Sequence, residues 1–419
     1  MSQMIDFTVP STVPGRSLHA FRCVPDGEVK AILQLSHGMV EFIDRYKPLA
    51  EYLAGRGILV TGHDHLGHGG SIRTRDDYGY FAEPDGNRAV LADLHAMTVR
   101  TKELYPGVPY FLLGHSMGSF YARQYLCEYG HELDGAIIMG TGFQPKALVQ
   151  FAKTLCRVLA VFHGWHYRSN FVAHTSFLGY NKGLEGRTTH DWLNRDAAEV
   201  DKYLADERCT FTFTLNAYYS MFSGILRLHD PAFLAKMPKD LPLLFLAGDA
   251  DPVGEQGKGV RRAIQSLKDA GVQNIECKLY PGARHELLVE TNKQEVFADI
   301  GNWLDPAAGL NRIPKPLHSV LCSGFFFSPV SGRVASFTDI SHFVLSVVLQ
   351  QHRLKPSQQH HSTVSALFHY RFKSVSNRSA QISIFYHFPV FLCYLLGLYS
   401  YFLGIPSNFQ RFFKRSPSC

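Results

Sequence analysis

The stretch FLLGHSMGSF (111–120) places a serine between two glycines, directly after an apolar run that predicts a strand. Ser116 follows Gly114 by two positions and precedes Gly118 by two, and the helix-like sequence SFYARQYL begins at once. A chain that turns this sharply from strand to helix strains the serine backbone and leaves no room for side chains at the two glycines. The turn would expose the serine hydroxyl at a helix N-terminus, where peptide N–H groups favour a developing anion. We therefore predict that Ser116 is a nucleophile.

A serine hydroxyl needs a base to activate it, and the base needs an acid to orient it. After an elbow of this type, the acid and then the histidine follow the serine along the chain. LAGDADPV (246–253) ends a predicted strand with Asp249 and Asp251, and YPGARHELLVE (280–290) follows the last predicted strand with His285. Because the carboxyl ends of parallel strands share one edge of a sheet, we predict that His285 is the base and Asp251 its partner. Asp249 remains an alternative acid, or a residue that caps the turn.

A tetrahedral intermediate also needs two backbone donors for its negatively charged oxygen. The first is expected to be the N–H of Met117, directly after the nucleophile. The second is expected in the loop after the strand AILQLS, where SHGM (36–39) offers the N–H of Met39 and where His37 and Gly38 would shape the turn. Donors of this kind contribute about 3–4 kcal/mol each to stabilisation of the transition state.

These side chains need a scaffold that brings several strand ends together. The chain has 419 residues, of which 46% are hydrophobic and 19% are charged, a composition typical of a globular protein with a sizeable core. Six short apolar runs predict buried strands: AILQLSHG (31–38), ILVTGHD (58–64), PYFLLGHS (109–116), GAIIMG (135–140), LPLLFLAG (241–248) and IECKLYPG (275–282). Stretches with helical spacing alternate with them, which predicts an α/β fold with a mostly parallel, doubly wound sheet.

The alternation stops between residues 144 and 228, where helical and aromatic-rich stretches occur without an obvious pair of strands. We interpret 144–228 as a helical cap, or lid, inserted over the edge of the sheet, with additional sheet-covering helices as the alternative. The flanking segments 1–143 and 229–306 would form the two parts of the core. Residues 307–419 form a basic tail rich in Phe and Ser, which we expect to be poorly ordered.

Charge is divided unevenly between the body and the tail. The net charge is +6, but residues 306–419 hold 11 Lys/Arg and a single acid, Asp339, which leaves 31 basic and 35 acidic residues in 1–305. The body is therefore mildly acidic, which argues against a nucleic-acid partner. Within the tail, 382–405 contains 24 residues without Asp, Glu, Lys or Arg, enough for a membrane-spanning helix. It is a candidate membrane-associating segment, unless the tail is an extension read past the usual stop.

The N-terminus and the cysteines indicate the compartment. MSQMIDFTVP has neither a basic start nor an apolar run, so we expect no signal peptide. The eight cysteines are scattered and form no CxxC, a pattern typical of reduced thiols in a cytoplasm. We therefore expect a cytoplasmic protein, with contact to a membrane surface through the cap or the tail left open.

Five ordered motifs resemble those of the monoacylglycerol lipase and lysophospholipase family of α/β-hydrolases, over residues 5–305. They are SHGMVEFIDRY (36–46), DHLGHGGS (64–71), GHSMGS (114–119), GDADPV (248–253) and GARHELLVE (282–290). The resemblance implies that the chain hydrolyses esters of lipids with one acyl chain, through the serine, histidine and acid named above and an acyl-enzyme. The reactants would be a small lipid ester and water, with no metal or organic cofactor. The acid-bearing motif favours Asp251 over Asp249, and Val40 departs from the family, since many members carry a small residue there.

Three other interpretations fit parts of the sequence. His63, His65 and His68 form an H-x-H-x-x-H pattern that can hold zinc, but position 67 is glycine where an acid would be expected, so we predict no metal. An aminopeptidase of the proline iminopeptidase type shares the elbow and the cap, and it would need acids in the cap to hold the amino group of its substrate. A non-catalytic binding protein on the same fold would predict a damaged triad, whereas all three residues are present.

Overall fold

Eight strands form one mixed sheet within residues 2–305, the part of the chain that the computed structural model describes. The strands are β1 (Gln3–Pro10), β2 (Ser17–Val24), β3 (Ala31–Ser36), β4 (Ile58–His63), β5 (Tyr110–His115), β6 (Gly135–Met139), β7 (Leu243–Gly248) and β8 (Ile275–Tyr280). Their order across the sheet is β1-β2-β4-β3-β5-β6-β7-β8. Strands β4, β3, β5, β6, β7 and β8 run parallel, as the strand–helix alternation predicts.

Ten α-helices accompany the strands in the described part of the chain. They are α1 (Lys47–Ala54), α2 (Gly86–Leu104), α3 (Met117–Tyr129), α4 (Lys146–His163), α5 (Asn170–Ser176), α6 (Ala197–Ala205), α7 (Leu215–Arg227), α8 (Pro231–Leu234), α9 (Lys258–Asp269) and α10 (Lys293–Leu304). Between β6 and β7 the described chain contains α4 to α8 and no strand, so residues 144–228 are helical and irregular, and their role as a cap stays a prediction.

The N-terminal hairpin was not among the predicted strands. β1 and β2 pair antiparallel from Gln3 opposite Val24 to Pro10 opposite Ser17, and β2 also pairs antiparallel with β4. Most side chains of the edge strand β1 are partly or fully exposed. Because an exposed edge strand lacks the continuous apolar run of a central strand, its sequence gives a weak signal.

The two faces of the sheet are covered by different helices, which makes the fold doubly wound. In β5, Tyr110 and Leu112 pack in a core with residues of α2, α3, α7 and α9. Phe111 and Leu113 pack in a second core with residues of α1 and α10. Successive side chains of a strand point to opposite faces, so a strand buried on both faces must be apolar throughout. This is why the central strands appear in the sequence as unbroken apolar runs.

The predicted tail, 307–419, and its apolar segment 382–405 lie outside the described residues. Within residues 2–305, no helix combines the length and the apolar character needed to cross a bilayer.

Candidate active site

The elbow at Ser116 has the strained backbone that its sequence predicts. Ser116 lies between β5 and α3 with φ 52° and ψ −117°, a conformation that residues other than glycine rarely adopt. Its N–H donates to the carbonyl of Met139 at 3.0 Å, which ties the turn to β6. The side chain is only partly buried, although the strand before it and the helix after it are buried. The turn therefore presents the hydroxyl at the carboxyl edge of the sheet.

Close packing explains the glycines around the serine. A Cβ at Gly114 would lie 2.6 Å from the Cβ of Ala122, and a Cβ at Gly118 would overlap the carbonyl of Ser36. Gly38 lies on the other side of the elbow, where an added Cβ would come within 3.2 Å of the Cβ of Ser116. Any side chain at these positions would push β3, β5 and α3 apart.

Asp251, and not Asp249, contacts the predicted base. Asp251 Oδ2 lies 2.9 Å from His285 Nδ1, and both side chains are almost completely buried. The other oxygen of Asp251 accepts the N–H of Val253 at 2.9 Å. Asp249 is exposed and accepts the N–H of Gly282 at 2.6 Å, so it stabilises the turn after β8. The geometry thus pairs His285 with Asp251, the acid preferred on sequence, and not with the alternative, Asp249.

His285 lies beside the elbow. Its ring centroid is 5.0 Å from that of His115, the residue before Ser116, and the Nε2 of His115 lies 3.3 Å from the carbonyl oxygen of His285. Gly140 follows β6, and an added Cβ there would approach both imidazole rings at 3.2 Å. Since Asp251 engages Nδ1, the Nε2 of His285 is the ring nitrogen left for proton transfer.

The predicted oxyanion donors flank the elbow. Within the described residues, the N–H groups of Met39 and Met117 donate to no protein acceptor. The turn that carries Met39 is held by its neighbours, because His37 Nδ1–H donates to the carbonyl of Gly38 at 2.8 Å and the N–H of Gly38 donates to a carboxylate oxygen of Glu41. Neither N–H group is therefore engaged by the protein in the described residues, and their role as oxyanion donors stays a prediction.

Four buried histidines pack behind this turn. The backbone N–H of His65 donates to His37 Nε2 at 2.9 Å, and the rings of His37 and His68 are 5.0 Å apart. Burial lowers the pKa of His37 to about 3, and it lowers the pKa of His63 and that of His68 to about 4. These imidazoles are therefore neutral at physiological pH and add no charge near the reacting serine.

The H-x-H-x-x-H histidines use several ring nitrogens within the protein. His65 Nε2 lies 3.1 Å from the hydroxyl of Ser36, and His68 Nδ1–H donates to the carbonyl of Leu66 at 3.0 Å. Within residues 2–305 the three histidines do not form a group whose ligand atoms converge on one point.

One cluster of possible metal-ligand atoms occurs in the described part of the chain. It consists of Asp6, His19 and Asp44, at or near the surface. The ammonium group of Lys47 lies 2.9 Å from Asp6 and 3.2 Å from Asp44, so a cation already occupies the space between the carboxylates.

A buried cluster of charged residues adjoins the site, and the sequence analysis assigned it no role. Glu41 accepts from the hydroxyl of Tyr46 at 2.9 Å, lies 2.9 Å from His115 Nδ1 and pairs with Arg45 at 3.1 Å. Arg45 also binds Glu286, the residue after His285, through two bonds of 2.5 and 2.9 Å. The sequence could have indicated this cluster, because its residues belong to the motifs SHGMVEFIDRY, GHSMGS and GARHELLVE.

Opposite charges in the cluster counteract the effect of burial on Glu41 and His115. Burial by itself would raise the pKa of Glu41, but His115 and Arg45 outweigh it and hold the pKa of this carboxyl well below its usual range. Burial likewise opposes the charged form of His115, but Glu41 raises the pKa of His115 above its ordinary value. Glu41 and His115 therefore each favour the charged form of the other, in a buried and hydrogen-bonded pair next to the elbow.

Residues of the cap border the site from the opposite side. The ring of Trp192 lies 5.2 Å from that of His285, and the guanidinium of Arg208 lies 3.7 Å from the centre of the Phe42 ring. Tyr203, on α6, donates its hydroxyl to the carbonyl of Val40 at 2.9 Å. The sequence did not indicate which side chains of residues 144–228 reach the site.

Comparison with known proteins gives a consistent result. The Hydrolase_4 family model, described as serine aminopeptidase, S33, matches residues 27–292. The monoglyceride lipase of Mus musculus is 31% identical over 295 residues, covering 67% of this chain and 84% of that protein. The monoglyceride lipase homolog of monkeypox virus is 28% identical over 280 residues, covering 66% of this chain and 89% of that protein. A thermostable carboxyl esterase from Bacillus coagulans, solved with glycerol, aligns with a TM-score of 0.66 and 25% identity, covering 74% of this chain and 98% of that one.

Proposed function

We propose that this chain, which belongs to the Hydrolase_4 family of α/β-hydrolases and is a carboxylic ester hydrolase, cleaves the ester bond of lipids that carry a single acyl chain. Monoacylglycerols and lysophospholipids are the two substrate groups of this kind. The observation that carries the proposal is the arrangement of Ser116, His285 and Asp251 along one edge of the sheet, with a buried 2.9 Å contact between the last two.

The first half of the reaction forms an acyl-enzyme. His285 takes the proton of the Ser116 hydroxyl through Nε2 while the serine oxygen attacks the ester carbonyl carbon. Asp251 keeps the proton of the imidazole on Nδ1 and stabilises the imidazolium that forms. The negatively charged oxygen of the tetrahedral intermediate accepts from the N–H groups of Met39 and Met117. The alcohol then leaves with the proton from His285, and the acyl group stays on the serine.

The second half releases the fatty acid. A water molecule gives a proton to His285 and attacks the acyl carbon, and the same two backbone donors hold the new oxyanion. The intermediate collapses, the proton returns to Ser116 and the carboxylic acid leaves. Each step uses groups of the protein and water alone.

Two observations support a lipid as the substrate. The mouse and monkeypox virus relatives are named monoglyceride lipase and monoglyceride lipase homolog. In addition, eight of the ten exposed large hydrophobic side chains of the described chain lie within residues 148–178 of the cap: Leu148, Phe151, Val161, Phe162, Tyr167, Phe171, Phe177 and Leu178. An exposed apolar region of this extent is suited to contact with a lipid surface. We therefore include contact of the cap with a membrane surface in the proposal.

The aminopeptidase alternative is less well supported, although the family description mentions this activity. An aminopeptidase needs a carboxylate in the cap that is free to bind the amino group of its substrate. Six of the seven acids in the cap already bind other groups of the protein: Asp191, Asp196, Glu199, Asp201, Asp206 and Glu207.

Hydrolysis of lipids of graded chain length tests the proposal. Purified protein is given monoacylglycerols, lysophosphatidylcholines and aminoacyl-naphthylamides, with Ser116→Ala as the blank. We expect release of fatty acid from the lipids by the wild type alone. Faster cleavage of the naphthylamides would favour the aminopeptidase, and equal rates for the wild type and Ser116→Ala would reject the mechanism.

A fluorophosphonate probe distinguishes a wrong substrate from a wrong mechanism. The probe reacts only with an activated serine, so it should label the wild type at Ser116 and leave Ser116→Ala unlabelled. Labelling without lipid hydrolysis would show that the serine is activated but that the lipid class is wrong. A wild type that does not react would favour a binding protein on a hydrolase fold.

A further inference from the structure

The oxyanion turn contains a residue in an unfavourable conformation. Val40 follows Met39 directly and has φ 56°. Within the described residues, only Ser116, Glu255 and Gln256 share a positive φ without being glycine. For a β-branched side chain this region is a true outlier, because Cβ crowds the backbone. Interactions with the surrounding structure must therefore hold Val40 in place.

Hydrogen bonds reach the two peptide groups of Val40 from different sides. Its N–H donates to His68 Nε2 at 3.4 Å, a long and weak bond from the core of the protein. Its carbonyl accepts the hydroxyl of Tyr203 at 2.9 Å, a bond of good length from the cap. The cap thus supplies the shorter of the two bonds.

Tyr203 is itself held rigidly. Its side chain is buried on α6, and its ring packs with Phe42 and Trp192 in a small core between the cap and the turn. The guanidinium of Arg45 lies 5.2 Å from the centre of the ring. A hydroxyl on so restricted a ring can oppose rotation of the peptide that it binds.

Rotation at Val40 would move the predicted oxyanion donor. The next residue, Glu41, is fixed by its bonds with His115 and Arg45, so a change in φ at Val40 must be taken up on the side of Met39. The N–H of Met39 would then turn away from the position beside Ser116. An oxyanion donor acts only while it is held in the direction of the developing charge.

We infer that Tyr203 is a positioning residue, whose hydroxyl keeps Val40 at positive φ and thereby keeps the N–H of Met39 directed at the oxyanion. This inference rests on the proposed function, since it assigns a role in the same reaction. It makes the cap part of the catalytic apparatus, in addition to a cover for the acyl chain. Only the valine at position 40 makes the hydroxyl necessary, because glycine adopts positive φ without strain.

A cycle of two substitutions tests the inference. Tyr203→Phe removes the hydroxyl and keeps the ring, and we expect kcat for a soluble p-nitrophenyl ester to fall about five- to tenfold with KM unchanged within about twofold, as for loss of a transition-state interaction. In Val40→Gly the turn needs no external support, so adding Tyr203→Phe should change kcat by less than about twofold. Tyr219→Phe, a partly buried tyrosine elsewhere in the cap, is the matched control and should leave kcat unchanged.

Three results would overturn the inference. These are a Tyr203→Phe variant with unchanged kcat, an equal fall in kcat in the valine and glycine backgrounds, and a rise in KM alone. The affinity of a boronic acid inhibitor, which forms a tetrahedral adduct with the serine, should fall in parallel with kcat/KM while the melting temperature stays within a few degrees. A general loss of packing would instead lower the melting temperature without this parallel.

The rate of fluorophosphonate labelling separates this inference from the proposed function. Labelling also develops negative charge on an oxygen at the serine, so Tyr203→Phe should slow it about as much as it lowers kcat. Slower labelling in a protein that hydrolyses no lipid would reject the lipid substrate and support the role of Tyr203. A wild type that is not labelled at Ser116 would reject both.

Discussion

Asp251→Asn is a demanding test of the site, because the two carboxylate oxygens of this residue have different partners. One oxygen lies 2.9 Å from His285 Nδ1, and the other accepts the N–H of Val253 at 2.9 Å. The amide of asparagine has a single acceptor oxygen and an NH₂ group that can only donate. If the oxygen stays with Val253, all the hydrogen bonds are kept, but the NH₂ group faces the imidazole. Nδ1 must then accept, which moves the proton of the imidazole to Nε2.

An imidazole with its proton on Nε2 cannot take the proton of Ser116. A wrong tautomer of this kind lowers kcat about 10⁴-fold in serine hydrolases, which corresponds to about 5 kcal/mol in the activation free energy. The opposite orientation of the amide would keep the correct tautomer, but it would set NH₂ against the buried N–H of Val253. Leaving such a donor unsatisfied costs about 1–3 kcal/mol, so the inactive orientation should dominate.

The matched control is Asp249→Asn. Asp249 is exposed and accepts only the N–H of Gly282, a bond that an asparagine oxygen can also make. With a p-nitrophenyl ester at saturation, we expect kcat to fall about 10³- to 10⁴-fold for Asp251→Asn and less than about twofold for Asp249→Asn. Both variants should melt cooperatively. The reasoning fails if Asp251→Asn retains more than a tenth of wild-type kcat, or if Asp249→Asn is the more damaging of the two.

Three further predictions concern the support of the site. Glu41→Gln breaks a buried ion pair and should lower the free energy of unfolding by about 3 kcal/mol in urea titrations. In the folded protein the pKa of His115 is raised and that of Glu41 is lowered, so the pair stabilises the fold most between their ordinary pKa values of 4.5 and 6.5. This stabilisation is lost as the pH falls through the folded pKa of Glu41 or rises through that of His115. Glu41→Gln should flatten this dependence of stability on pH. Gly118→Ala, whose Cβ would overlap a neighbouring carbonyl, should abolish fluorophosphonate labelling, whereas Gly55→Ala, with its nearest contact at 3.4 Å, should label normally. The side chain of Phe162 is 77% exposed, and Phe162→Asp should weaken sedimentation of the protein with phosphatidylcholine vesicles without changing hydrolysis of a soluble ester. Unchanged sedimentation would argue against the cap as the contact surface.

Much of the fold follows from local patterns. Five of the six parallel strands, β3 to β7, could be predicted because each is buried along its whole length and is therefore largely apolar. β8, with several exposed residues, is the weakest of these signals. The hairpin of β1 and β2 was missed, since the side chains of an edge strand alternate between the core and the solvent. Residues 307–419 add nothing to this comparison, because they lie outside the described part of the chain.

What the sequence by itself determined is the local chemistry of the elbow. The glycines at 114 and 118 mark the turn from strand to helix within five consecutive residues, although the groups that exclude a side chain at 118 lie on the distant strand β3. The serine, acid and histidine could also be predicted along the chain, because each follows the end of a predicted parallel strand. The pattern itself is short and local, so a single chain is enough to recognise it.

Only the tertiary structure decided which distant groups meet. The turn after β7 offers two carboxylates two residues apart, and packing alone directs Asp251 to His285 while Asp249 remains at the surface. Arg45 binds Glu286 across 241 positions, and Tyr203 reaches Val40 across 163. Contacts over such separations are set by how helices and loops pack on the sheet, and no local spacing in the sequence records them.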